Sequence, residues 1–269
     1  MATEFCPGYA NEPYATLVRN APTEEVYPQV AFRIEWGPIF HRGRLDGSAR
    51  VLILGQDPAA HEDVVRRILI GTAGRRVQGF LAHLGITHSY VMINTFLYSV
   101  FGAGGTQQQH DVAIATYRNK WIAALLDSGG IEIVIAFGGL ADGAWQAWKA
   151  SPAAAGRPAL PYQHVPHPTS PDSAGGTPAE QKTAIKAMLQ KYNAAIAQLL
   201  PALQHPDTNT LVAAYGDDFA DRDLPPIPQG DLPAGLPGWM GATNDWAVRG
   251  KGALARRVVT VTAPSTALP

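Results

Sequence analysis

The chain has 269 residues, 46% of them hydrophobic and 16% charged, which excludes a disordered or fibrous chain and suits one globular domain with loop-rich additions. Lys and Arg number 21 against 22 Asp and Glu, so no overall positive field marks a nucleic-acid partner, and any such binding must use a local patch. The single cysteine, Cys6, excludes an internal disulfide framework, a Cys-rich zinc site and a four-thiolate iron–sulfur cluster, and it points to a reducing, cytoplasmic setting. Met1–Ala10 has neither the basic start nor the apolar run of a signal peptide, and no stretch approaches the roughly 20 apolar residues of a membrane span.

After an N-terminal arm reaching to about residue 48, four short apolar runs follow: Arg50–Leu54, Tyr90–Asn94, Ile131–Phe137 and Tyr162–Val165. They are rich in Val, Ile and aromatics, and the first three are continuously apolar rather than alternating, the mark of strands buried on both faces. Helical spacing covers Arg75–Leu84, Val112–Leu126 and Leu140–Lys149 between them. Thr177-Pro178-Ala179-Glu180 combines a capping box with Pro at the first helical position and opens a helix to about Leu200. The alternation predicts an α/β fold: a single domain with a central four-stranded parallel twisted sheet flanked by helices on both faces, spanning residues 1–200. Residues 201–269 are dense in Pro and Gly, with Asp217 and Asp218 early and Arg249, Lys251, Arg256 and Arg257 late. No independent core is visible there; Trp239, Trp246 and Val258–Val261 predict an extension that packs on the domain. Its late basic residues read as a solvated stretch rather than a ligand contact.

Ligands of open parallel sheets sit at the carboxyl ends of the strands. Three ends here are polar: Gly55-Gln56-Asp57-Pro58 after the first strand, Asn94 closing the second, and His167-Pro168-Thr169-Ser170-Pro171 after the fourth. An acid, an amide and an imidazole are thereby expected at one rim. Each alone has a bland reading, Asp57 as a turn or cap residue, Asn94 as a structural amide and His167 as a buried structural ring. His61, His83, His88, His110 and His164 have no ligand-like spacing and read as structural or surface residues, so no metal is expected.

Over about residues 50–200 these motifs, in this order, resemble the uracil-DNA glycosylase superfamily. Gly55-Gln56-Asp57-Pro58 is similar to the first motif of its best-known branch, and His167-Pro168-Thr169-Ser170-Pro171 to the His-Pro-Ser-type second motif. Asn94 matches the base-reading Asn, and Gly71-Thr72-Ala73-Gly74 resembles the glycine turn of the cluster-bearing branch, whose iron–sulfur cluster this chain cannot hold. The resemblance implies a glycosylase that flips uracil out of DNA and leaves an abasic site, a monomer needing no metal or cofactor. In that reading Asp57 orients water and stabilises an oxocarbenium-like sugar, while His167 donates to uracil O2 as the anion forms. The Asn94 amide matches the N3 hydrogen and O4 of uracil but not the reversed pattern of cytosine. Gln56 supplies further uracil contacts. Gly71, Gly74, Arg75, Arg76, Thr169, Ser170 and Pro171 are the expected DNA contacts, the two arginines as phosphate ligands at a helix start.

The chain also departs from the pattern. Ala59 stands where a Tyr excludes the thymine methyl group, and Leu69 or Ile70 where an aromatic ring stacks on the flipped base. His61 or Tyr98 is the candidate ring to fill that gap, and Pro171 takes the place of the Leu wedge. A binder of uracil-containing or abasic DNA with weak excision is therefore a rival reading. An unrelated α/β hydrolase is disfavoured because the sequence has no Gly-x-Ser-x-Gly elbow.

Overall fold

Two-sided burial of the apolar runs organises the molecule. The computed structural model describes residues 9–102, 104–173, 175–210, 212–250, 252 and 257–265, so Cys6, Lys251 and Arg256 lie outside the described residues. The strands are β1 His41–Gly43, β2 Val51–Gly55, β3 Tyr90–Asn94, β4 Ile133–Phe137, β5 Tyr162–Val165, β6 Ala247–Arg249 and β7 Val259–Val261. The helices are α1 Tyr14–Arg19, α2 Ala60–Val65, α3 Gly71–His83, α4 Gly104–Gln108, α5 Val112–Asp127, α6 Gly139–Lys149, α7 Ser170–Ser173, α8 Pro178–Leu199 and α9 Trp239–Ala242.

The central sheet has the order β1-β3-β2-β4-β5, in which β2 to β5 run parallel and β1 is antiparallel to β3. It has five strands where the sequence predicts four. The extra strand, His41-Arg42-Gly43, carries no apolar signature, yet all three residues are buried. Alternate residues of β2, β3 and β4 feed two separate cores. Leu52, Leu54, Val91, Ile93, Val134 and Ala136 face α1, α5 and α6, whereas Val51, Ile53, Tyr90, Met92, Ile133 and Ile135 face α3 and α8. This is the pattern of a sheet covered on both sides.

Local signals set the helix starts. Asp111 accepts from the Ile114 amide at 2.9 Å to cap α5, and Thr177 and Glu180 exchange the reciprocal bonds of a capping box at α8. The helix predicted from Arg75 begins earlier, at Gly71, because the glycine turn forms its first turn. No helix among the described residues is long and apolar enough to cross a membrane.

The chain beyond α8 is stitched to the domain. Asp207 accepts from the amides of Thr87, His88 and Ser89 at 2.6–3.0 Å. Ile227, Leu232, Met240, Trp246 and Ala247 form a third small core with Val65 and Ile70. Deeper still, Arg42 Nη1 lies 3.3 Å from Asp231 Oδ2 with both side chains fully buried, and the Tyr90 hydroxyl donates to the same oxygen. This pair explains β1: a polar edge strand is buried because a carboxylate from far along the chain neutralises its arginine.

Removing one partner of such a pair leaves an uncompensated buried charge, whereas replacing both with apolar groups relieves the desolvation cost. Asp231→Ala is therefore expected to lower unfolding free energy in urea by about 3–5 kcal/mol, and Arg42→Met with Asp231→Leu to recover most of that loss. Equal losses in the single and double variants would show that packing, not charge, holds this contact.

Candidate active site

The site begins with two strand ends that carry no side chain. Gly55 closes β2 and pairs in register with Asn94 at the end of β3. A β-carbon at Gly55 would collide with Asn94 Oδ1. Beyond β4, Gly138 has φ +92°, a left-handed conformation, and a β-carbon there would sit 3.0 Å from Gln56 Cδ and 3.1 Å from His167 Cβ. Because β3, β2, β4 and β5 are consecutive neighbours, the segments carrying Asn94, Gln56-Asp57 and His167 meet at one carboxyl rim.

A cleft of about 280 Å³ opens there, and Gln56, Asp57, Ala59, Leu69, Ile70, His167 and Thr169 all line it. Asn94 does not: it is buried, it lines a separate small cavity with Phe40, Thr95, Tyr117 and Trp121, and its Oδ1 has no hydrogen-bond partner among the described residues. Leaving a buried acceptor unsatisfied costs about 1–3 kcal/mol.

Asp57 Oδ2 accepts from the Val100 amide at 3.0 Å. Burial pushes its carboxyl up to about 6, opposed first by the Val100 hydrogen bond and then by Arg249 and Arg33, and reinforced by Asp63. His167 is moved the other way, down to about 4, first by burial and then by the positive charge of Arg76. The Thr169 amide points at His167 Nδ1 from 3.4 Å, and the Thr169 hydroxyl lies 3.1 Å from it. Nδ1 is thus an acceptor, which puts the proton of the neutral ring on Nε2.

Several residues serve differently from the sequence expectation. Arg76 donates to the Pro168 carbonyl at 2.7 Å, pairs with Asp172 at 2.5 Å and lies over the Phe219 ring, so it ties α3 to the His167 loop. Arg75 donates to the Leu224 carbonyl and to Asn244 Oδ1. Both guanidiniums are engaged by the protein itself rather than presented to phosphate. Pro171 is buried, not projecting as a wedge, while Ser170 is exposed. Gly71 and Gly74 are packing glycines: a β-carbon at Gly71 would press on the His61 ring, and one at Gly74 would collide with the Leu69 carbonyl. Tyr98 is a core residue, its hydroxyl donating to the Pro22 carbonyl at 3.0 Å. His61, read from sequence as structural or surface, lines the cleft and packs edge-on against Trp246.

Other cleft residues carry no obvious sequence signal. Glu62 accepts from the amides of Ala59 at 2.9 Å and Ile70 at 3.0 Å, joining the first motif to the glycine turn, and burial raises its carboxyl to about 7. Only its capping-box spacing from Ala59 hints at this. Arg249 and Asp245 enter from the extension. Among the described residues no group of three or more His, Cys, Asp or Glu side chains is arranged to hold a metal ion.

The family model of the uracil DNA glycosylase superfamily matches residues 42–199, more than half of the chain. The chain belongs to that superfamily. No curated protein matches the chain. Superfamily membership gives it a DNA glycosylase-type function, and the matched span contains both strand-end motifs and Asn94, while Arg33, Asp245 and Arg249 fall outside it.

If Arg76 holds His167 neutral, Arg76→Ala should raise the imidazole pKa from about 4 by about one pH unit. Titration of the ring by NMR reads this directly, and an unmoved pKa would assign the whole depression to burial.

Proposed function

We propose that the protein is a uracil-DNA glycosylase that hydrolyses the N-glycosidic bond of uracil in DNA and leaves an abasic site. One observation carries the reading: Asp57 and His167 line one cleft at the rim where Asn94, its Oδ1 unpartnered, closes β3, in a chain of this superfamily. The target atom is unreachable inside a duplex, so the nucleotide must be flipped out at a cost of a few kcal/mol. Asp57, anchored through Oδ2 by Val100, has Oδ1 for the attacking water and a negative charge for the cationic sugar. His167 donates from Nε2 to uracil O2 as negative charge develops there. A neutral donor suffices, and a missing one typically costs about 100–1000-fold.

In this reading the Asn94 amide pairs with N3 and O4 of uracil and leaves cytosine unmatched. DNA backbone contacts fall to the exposed Ser170 and to the amides opening α3, since Arg75 and Arg76 are engaged elsewhere. A second reading, a binder of uracil-containing or abasic DNA with slow excision, is favoured by Leu69, which gives the base no ring to stack on; such stacking is worth about 1–3 kcal/mol elsewhere.

A labelled oligonucleotide with one uracil, single-stranded or opposite Gua or Ade, is incubated with enzyme in excess and cleaved with alkali. Scission at uracil is expected, with at least about tenfold loss in Asp57→Asn and in Asn94→Ala. No scission by the wild-type protein would overturn excision, and a retained gel shift of abasic DNA would then support the binder. Because Asp57 acts ionised and His167 is already neutral above about 4, the rate should rise with pH and level off above about 6. A flat profile between pH 5 and 7 would exclude Asp57 as the base. Ala59 leaves the thymine methyl unopposed, so slow excision from a mismatched thymine is expected, and Ala59→Tyr should suppress it.

A further inference from the structure

Two arginines from outside the matched span converge on the segment that holds Asp57. Arg33, in the N-terminal arm, donates from Nη1 to Ser99 Oγ at 3.3 Å and to the Val100 carbonyl, and its own amide donates to the Ser99 carbonyl at 2.8 Å. Arg249, on β6, donates from Nη1 to the same Ser99 Oγ at 2.5 Å. Its Nη2 lies 3.5 Å from the carbonyl of Pro58, the residue after Asp57, and its Nε donates to the buried Asp63 at 2.9 Å. Ser99 is buried, and the next amide, Val100, is the donor to Asp57 Oδ2.

We propose that Arg33 and Arg249 form a two-arginine clamp that positions Asp57, making residues on both sides of the matched span working parts of the active site. The proposal rests on the reading of Asp57 as the catalytic carboxylate. The clamp acts in two ways. It fixes the Ser99–Val100 backbone whose amide aims Asp57, and it places two cations near a carboxylate that burial would otherwise protonate. The charges that bear on Asp57 include Arg33 from the arm, Arg249 from β6 and Asp63 from α2, whose like charge opposes the arginines, and the same cleft holds His61 and Glu62 of α2, His167 and Asp245. Arg249 is held there rather than free in solvent because Asp63 neutralises it and Ser99 and Pro58 supply acceptors. A guanidinium suits this place because its fork reaches several acceptors at once.

The bland alternative is that both arginines only sew the chain ends onto the domain. The two readings differ in pH dependence. If the clamp biases Asp57, Arg249→Gln and Arg33→Gln each raise its carboxyl pKa by about half to one pH unit, and Arg249→Lys restores most of it. Excision then falls most near pH 6 and approaches wild-type values above about pH 8, whereas a purely structural defect lowers the rate equally at every pH. Arg249→Gln leaves Asp63 buried without its partner, so Asp63→Asn is the companion variant. It keeps a hydrogen-bonding partner for Arg249, removes a like charge, and should move the acid limb to lower pH.

The experiment measures the Asp57 carboxyl titration by NMR, assigned with Asp57→Asn, together with single-turnover uracil excision across pH 5–9 in the full chain. An Asp57 pKa that rises in neither folded Arg33→Gln nor folded Arg249→Gln would overturn the clamp while leaving excision standing, whatever Asp63→Asn does. A wild-type protein that excises no uracil would overturn the glycosylase reading, and the carboxyl titration would still decide the clamp. An upward shift in the Gln variants with recovery in Arg249→Lys would support it.

Discussion

Everything at the cleft depends on two places where the chain withholds a side chain. Parallel strands stand about 4.8 Å apart, too close for three polar groups to converge beyond their ends unless something yields. At Gly55 the bare Cα lets the Asn94 amide lie across the end of the central strand. At Gly138 the left-handed backbone turns the chain away while Gln56 and His167 close over the empty position. The sheet supplies direction and these two glycines supply proximity, so acid, imidazole and amide occupy one rim although they come from three strands.

Around that rim the polar residues are arranged to shift two ionisations in opposite senses. Burial raises the Asp57 carboxyl and lowers the His167 ring, and neighbouring arginines limit the first and deepen the second. The same kind of residue therefore does opposite work at the two positions: a guanidinium beside the acid favours its charge, and one beside the base forbids it. Near neutral pH the result is an ionised carboxylate and an uncharged hydrogen-bond donor at one cleft, the combination that the proposed excision calls for.

Much of this arrangement is legible in the sequence because its signals are local. Val- and Ile-rich runs mark β2, β3 and β4, and the residues following each strand mark the rim. Long-range pairings are not legible. His41-Arg42-Gly43 reads as a polar loop until Asp231 is placed beneath it. Arg76 beside a glycine turn has the look of a phosphate ligand, and only the folded loop shows that Asp172 and the Pro168 carbonyl claim it first. Arg249 sits in a stretch whose composition resembles a solvated tail, and its role comes wholly from Asp63, Ser99 and Pro58. Pro171 occupies a wedge position in the motif yet is buried, since motif spacing does not fix the direction in which a short helix presents its residues.

The burial of Arg42 against Asp231 also orders events in time. Residue 231 leaves the ribosome well after residue 42, so the edge strand emerges with a cation whose counter-charge comes later. The apolar strands β2 to β5 all precede Asp231, and the margin of the sheet is settled only when the segment carrying that carboxylate follows. Until then β1 is an edge open to pairing with another strand.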